Sequence, residues 1–341
     1  MNINGYQLLG DWKNTNVGQV ANVECEGVMY IMTKFQTTVK PFKNGTLDPK
    51  TYENNLKIFE DFVVARRRVN YALRSVSDIL FTPCDEFVDG FYYYEVRKFS
   101  KDILSAENSE YLVRTLPEEG KRLLMLTATG ALVRAHNLGV VHGNLGLYNV
   151  LLMRNSAGNY IASISGWDFN FFADDKLAEI MGDIVYYSPE MGAYCDSVGE
   201  DNPDEVAALR ERISEKTDIY SLGLVFYYWL AGKLPQAKSL NEKLQMRKDK
   251  GRIIYTWVIL SEGCELEIGA EAGRYASLIQ DMLNADPEKR PSAKQVIQRL
   301  KTSVNDERLG ANHSEGCAQA VHDGKFAEPW PEHNIKELLR T

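Results

Sequence analysis

Paired cysteines, long apolar runs and surplus basic charge are all missing from this chain, and each absence excludes something. The five cysteines, Cys25, Cys84, Cys195, Cys264 and Cys317, form no Cys-x-x-Cys pair. Neither a disulfide framework nor a cysteine metal site is expected, and free thiols fit a reducing compartment. No run approaches the roughly 18 apolar residues that a membrane span requires. The first residues, Met1 to Tyr6, have neither a charged nor an apolar targeting region, so the expected address is cytoplasmic. Against 47 Asp and Glu stand only 39 Lys and Arg, a net charge of −8. That sign argues against nucleic acid or an anionic membrane surface as a main partner, since both call for a basic face. What is present is globular: 341 residues that are 44% hydrophobic can fill about two domains or one two-part domain.

Strand patterning opens the chain. Tyr6 to Leu9, Gly18 to Cys25 and Val28 to Phe35 read as strands, with Glu26-Gly27 as a hairpin turn. Alternation sends Tyr30, Met32 and Lys34 to one face. Asp48-Pro49 is a helix start, Asp as cap and Pro in the first turn. Apolar Tyr52, Leu56, Phe59, Val63, Val69 and Leu73 carry that helix to about Arg74. A further strand is expected from Phe91 to Val96, and an amphipathic helix over 118–138 in which His136 packs in the core. Ile161 to Asp168 reads as a strand, and Asp196 to Glu205 as an acidic, solvated insertion. The segment from Asp218 to Leu230 is apolar on all sides, so it must be a buried helix.

Between these elements lies His142-Gly143-Asn144-Leu145-Gly146-Leu147-Tyr148-Asn149. With Asp168-Phe169-Asn170, Ser188-Pro189-Glu190, Asp218 and Arg290 in order, it resembles the motif series of the eukaryotic-like protein kinases, on the Ser/Thr side of that superfamily. The resemblance implies an α+β, bilobal protein-kinase fold, with a small antiparallel-sheet N-lobe plus one helix (residues 1–95), a mainly helical C-lobe (96–303) and a C-terminal tail (304–341). It also implies ATP or ADP with Mg2+, held weakly. Asn149 and Asp168 match the metal-binding Asn and Asp, and Lys34 matches the strand lysine that reaches the phosphates. Gly10, Gly18 and Val20 match parts of the glycine loop, and Glu95 falls where the chain passes the adenine. Each also has a plainer reading: a polar hairpin tip for the glycines, a solvated strand-end lysine for Lys34. By the same resemblance Asp218 holds the backbone of the His142 loop, and Arg290 pairs with Glu190.

The departures matter as much. The family loop reads His-Arg-Asp-x-x-x-x-Asn, and its Asp takes the proton of the acceptor hydroxyl. Here His142 stands, the Arg is Gly143, the base position is Asn144, and the lysine two residues on is Gly146. An amide offers no proton acceptor comparable to a carboxylate. Asp183 replaces the usual activation-segment Thr, and the helix Glu that pairs with the strand lysine falls on Arg67 or Arg68, with Glu60 too far back. Loops with His-Gly-Asn are similar to those of Janus-kinase pseudokinase and receptor guanylyl cyclase kinase-homology domains. The implied function is a nucleotide-binding pseudokinase that acts on a protein partner. An active Ser/Thr kinase with an atypical loop and a scaffold without nucleotide remain as alternatives. The tail ends in a short helix carrying Ile335, Leu338 and Leu339, which either docks on the chain itself or binds a partner.

Overall fold

The structure, a computed structural model, describes residues 1–15, 17–43, 46–76, 81–104, 106–155, 158–173, 175, 184–197, 203–237 and 266–302. The Ser77-Asp78-Ile79 segment, Asp183 and the tail expectations lie outside them. The chain divides into two compact units, Met1–Lys101 and Asp102–Thr341. The last strand of the first unit runs on past Glu95 to Lys98.

The first unit is an antiparallel sheet with one long helix. Its strands are β1 (Asn2–Ile3), β2 (Tyr6–Leu8), β3 (Lys13–Thr15), β4 (Gly18–Cys25), β5 (Val28–Phe35), β6 (Asp85–Asp89) and β7 (Tyr92–Lys98), ordered β1-β2-β4-β5-β7-β6, with β3 beside β4. The turn between β4 and β5 is the expected one: Glu26 and Gly27 both have positive φ, 52° and 80°, as a tight hairpin requires. Helix α1 (Pro49–Arg74) starts where Asp48 accepts a hydrogen bond from the Thr51 N–H. Phe59, Val63, Arg66, Asn70 and Leu73 form its buried stripe at helical spacing.

The two faces of the sheet differ in chemistry. Val23, Met32, Phe87, Tyr94 and Val96 form an apolar cluster with Tyr6, Trp12, Tyr30 and Tyr92 around it. The opposite face, where α1 lies, carries charge. The Glu95 carboxylate accepts hydrogen bonds from Arg66 at 2.7 Å, Asn70 at 2.8 Å and Arg97 at 2.9 Å, and Arg97 also donates to the Thr33 hydroxyl at 3.0 Å. Breaking a buried ion pair leaves an uncompensated charge, so the pairing of Arg66 with Glu95 at 2.7 Å is a strong constraint on where α1 sits.

The second unit is mainly helical, and with the sheet of the first it gives the α+β class expected. Its elements are α2 (Ala106–Thr115), α3 (Glu118–Asn137), β8 (Val140–Val141), β9 (Val150–Arg154), β10 (Tyr160–Ile164), β11 (Phe171–Phe172), α4 (Pro189–Ser197), α5 (Pro203–Glu211), α6 (Glu215–Ala231), β12 (Gln236–Ala237), β13 (Leu266–Glu267), α7 (Ala276–Met282) and α8 (Ala293–Thr302). As its composition requires, α6 is buried along almost its whole length. Ser214 and Thr217 form a capping box at its start, and Gly232 closes it with φ 71°. Part of the expected acidic loop is helical, as α5. Arg290 grips Glu190 through two hydrogen bonds of 2.7 and 2.8 Å, and Thr217 adds a third at 2.9 Å. Among the described residues no helix is long and apolar enough to cross a membrane.

The ion cluster beneath α1 yields a direct test. Glu95→Gln removes the carboxylate shared by two buried guanidiniums, so urea denaturation should show a loss of about 3–5 kcal/mol. The exposed Arg114–Glu110 pair should tolerate Glu110→Gln with no measurable change. Equal effects at the two sites would contradict the cluster's role.

Candidate functional site

The loop from Val141 to Asn149 is held from below by one carboxylate. Asp218, buried in the first turn of α6, accepts the backbone N–H of His142 at 2.8 Å on one oxygen and that of Gly143 at 3.0 Å on the other. The His136 Nε2 lies 2.9 Å from the same carboxylate, so this core histidine is a partner and not only packing. His142 is fully buried, and the backbone takes up both its nitrogens. Nδ1 accepts the Asn144 N–H at 3.2 Å, which leaves Nε2 to donate to the Ser165 carbonyl at 2.8 Å. Its ring also meets Trp167 edge-on at 4.5 Å. His142 is therefore a post of the loop and not a group that meets a substrate.

Burial pushes the His142 imidazole below its ordinary pKa, against the opposing pull of Asp218. Burial alone would raise the Asp218 carboxyl. The hydrogen bond and charge of His136, with help from His142, outweigh it and hold the group below the usual carboxylate range. The site is thus built around a neutral imidazole and an ionised carboxylate.

Around this frame the two glycines are filled positions. A Cβ on Gly143 would lie 2.9 Å from the Phe171 ring and 3.2 Å from the Phe169 carbonyl, and the residue has φ +72°. A Cβ on Gly146 would lie 2.7 Å from the ring of Tyr186. Tyr186 is itself fixed, because Ser221 of α6 donates to its carbonyl at 2.7 Å. At both positions an aromatic ring crowds the place that the first side-chain carbon of an Arg or Lys would take. Nothing in the sequence pattern pointed to Phe171 or Tyr186 as the fillers.

Asn149 sits in the 3-10 turn Leu147–Asn149 and donates its side-chain N–H to the Asn144 carbonyl at 2.6 Å. Its Oδ1 lies against Gly166, whose φ of +74° and lack of a side chain permit the approach; a Cβ there would be 2.3 Å away. Asp168 follows Trp167 beyond β10, which ends at Ile164 and not at Asp168. The Trp167 Nε1 donates to the Ile164 carbonyl at 3.0 Å, and this bond fixes the turn that presents Asp168.

The expected nucleotide residues of the first unit do not share a face. Lys34 points to the apolar side, with its ammonium 3.9 Å from the Tyr92 ring centroid and 5.9 Å from that of Trp12. Val20 pairs with Thr33 and Thr33 with Glu95, a row on the α1 side. Because side chains alternate along a strand, Lys34 and Val20 face opposite ways. The α1-side positions that flank Lys34 are Thr33 and Phe35, and the Phe35 ring meets Phe62 and Arg66 of α1. Glu95 is no hinge: it lies mid-strand in β7, paired on both sides with β5 and β6, so its backbone is spent on the sheet. Gly18 is demanded by packing, since a Cβ would fall 2.2 Å from the Lys34 carbonyl. The glycine-loop stretch is in fact the β3–β4 hairpin, with Thr15 opposite Gly18, and Gly10 has open space around it. The helix residue that meets the sheet is Arg66. Arg67, Arg68 and Glu60 are exposed. Counting one heptad on from Phe59 would have found Arg66 in the sequence.

The nucleotide implied by the sequence therefore fits in part. Asn149 and Asp168 supply oxygen donors suited to a divalent cation, with the Asn149 N–H already committed to the loop. Lys34 lies on the face away from α1, against the Tyr92 ring.

Comparison with known proteins gives one family. Residues 101–300 match the model of the protein kinase domain. The chain is similar to the ovarian-specific serine/threonine-protein kinase Lok of Drosophila melanogaster, 27% identical over 190 residues, 54% of this chain and 35% of that protein. It is similar also to the human hormonally up-regulated neu tumor-associated kinase, 27% identical over 212 residues, 58% of this chain and 26% of that protein. Serine/threonine-protein kinase ppk25 of Schizosaccharomyces pombe is 26% identical over 184 residues, 54% of this chain and 37% of that protein. The chain thus matches between 26% and 37% of the length of these relatives.

The buried His142 and Asp218 set a pH dependence. Both pKa values are depressed on folding, so both contributions are present at high pH and are lost as pH falls. For His142 the loss begins near the unfolded value of about 6.5, and for Asp218 near about 3.9. The urea midpoint should decline between pH 7.5 and 5.5, and His142→Leu, whatever its own cost, should flatten that slope. An equal slope in the variant would assign the dependence to another group.

Proposed function

This chain belongs to the protein kinase domain family, and from that premise we propose that it is a regulatory kinase-fold module, a pseudokinase that acts by binding a protein partner without transferring phosphoryl groups. The observation that carries the reading is the state of the loop. Its support is complete, from Asp218 to His142 and Ser165, whereas the base position holds Asn144 and the two cation positions are glycines covered by Phe171 and Tyr186. Phosphoryl transfer depends on positioning and on fixed charge at the transferring group. Loss of one electrostatic stabiliser typically costs about 10²- to 10³-fold in rate. Here the carboxylate and the lysine that would steady the transferring group are absent together, with Asn144 and Gly146 in their places.

A bound nucleotide, in this reading, depends on Asn149 and Asp168 and not on Lys34. The placement of Lys34 against Tyr92 favours a second reading, a scaffold that takes no nucleotide. Both readings keep the same partner-binding role and the same absence of transfer.

The test is incubation of the purified chain with labelled ATP, magnesium or manganese, and a generic protein substrate. No time-dependent incorporation is expected. Incorporation that disappears in Asp168→Ala would establish an active Ser/Thr kinase with an atypical loop and overturn the proposal.

A further inference from the structure

The stretch after Asp168 lacks any group that a kinase could modify. From Asp168 to Val185 the sequence contains no Ser, Thr or Tyr. The next hydroxyls, on Tyr186, Tyr187 and Ser188, are buried, with exposures of 6%, 5% and 0%. The arginine that would receive a phosphate beside the loop is Gly143. Yet the beginning of this stretch is firmly placed. Phe171 and Phe172 pair with Val141 and Val140, and the Ala173 N–H donates to the Gly139 carbonyl at 2.9 Å. Asp175 folds back on Phe172, its N–H donating to the Phe172 carbonyl at 2.9 Å and its carboxylate accepting the Phe172 N–H at 3.1 Å.

The charge that closes this turn comes from elsewhere. Arg210, in the last turn of α5 and buried, donates to the Asp175 carbonyl at 2.6 Å and to the Ile213 carbonyl at 3.3 Å. Its guanidinium lies 4.8 Å from the centroid of Phe171, the ring that covers Gly143. One side chain thus ties together the insertion helix, the turn at Asp175 and the ring over the catalytic-loop position. Charge-assisted hydrogen bonds and a desolvated cation–π contact are among the stronger polar interactions available to a protein.

We propose that Arg210 is a built-in latch that holds Phe171 and the turn at Asp175 against the loop permanently, in place of an arginine that would order this part of the chain on phosphorylation. The usual switch adds a phosphate to create new arginine contacts. Here the contacts are made by a backbone carbonyl and an aromatic ring, neither of which changes with modification. The insertion that carries α5 is the structural source of the latch. The inference does not depend on whether the chain transfers phosphate.

Hydrogen exchange on the full chain tests it. Arg210→Ala should speed exchange of the Phe172 and Ala173 amides at least about tenfold, as expected for loss of one charge-assisted hydrogen bond, with α6 amides unchanged. Arg210→Lys should restore part of the protection. Treating the wild-type protein with a broad-specificity phosphatase should leave the pattern as it was. Unchanged exchange in Arg210→Ala, or a changed pattern after phosphatase, would overturn the proposal. Should Arg210→Ala fail to fold, Arg210→Met, which keeps the aliphatic packing and removes the charge and its hydrogen bonds to Asp175 and Ile213, must show the same local acceleration; normal protection there would also overturn it.

Discussion

A single buried carboxylate, Asp218, sets the geometry on which the rest of the second unit's site depends. Taking an ion out of water costs several kcal/mol unless hydrogen bonds replace its solvation. Here two backbone N–H groups and one imidazole do so. The replacement works in both directions: the carboxylate is satisfied, and the loop backbone is left one conformation to adopt. From there the order passes through His142 to Ser165, and through Trp167 to the turn at Asp168. None of these groups is part of phosphoryl chemistry. That separation explains how a loop can keep its frame while losing its base and its cations.

The vacated places have been rebuilt. In a packed interior a deleted side chain leaves a void that costs stability unless neighbours fill it. Phe171 and Tyr186 stand against the two glycines, and each is fixed by contacts of its own, Phe171 in β11 beneath Arg210 and Tyr186 through Ser221. The first unit tells a parallel story. Where a lysine from the sheet would pair with a helix carboxylate, the charges are exchanged: the helix supplies Arg66 and the sheet supplies Glu95. The pair that places α1 is thus complete without Lys34 and without a ligand.

Much of this was legible in the residues. The β4–β5 hairpin at Glu26-Gly27, the Asp48-Pro49 helix start, the buried α6 and the Arg290–Glu190 pair all follow from local patterns or from motif order. What escaped had physical reasons. Alternation tells which residues share a face with Lys34 but not which face α1 covers; that is fixed by the Arg66–Glu95 pair, distant in sequence. Strand β3 is three residues long and polar, below the reach of periodicity. Arg66 was passed over because a buried arginine interrupts an apolar stripe, and its partner Glu95 is distant in sequence. The filling of Gly143 and Gly146 by rings from a separate segment is a tertiary fact with no local signature.

The central claim is that the loop's chemistry cannot return simply by returning its side chains, because their space is taken. The measurement is the rate of phosphoryl transfer by the triple variant Gly143→Arg, Asn144→Asp, Gly146→Lys, made on protein shown to be folded. The account predicts a destabilised protein with no transfer above the Asp168→Ala background, since the new side chains meet Phe171 and Tyr186. Robust transfer by a variant as stable as the wild type would contradict it.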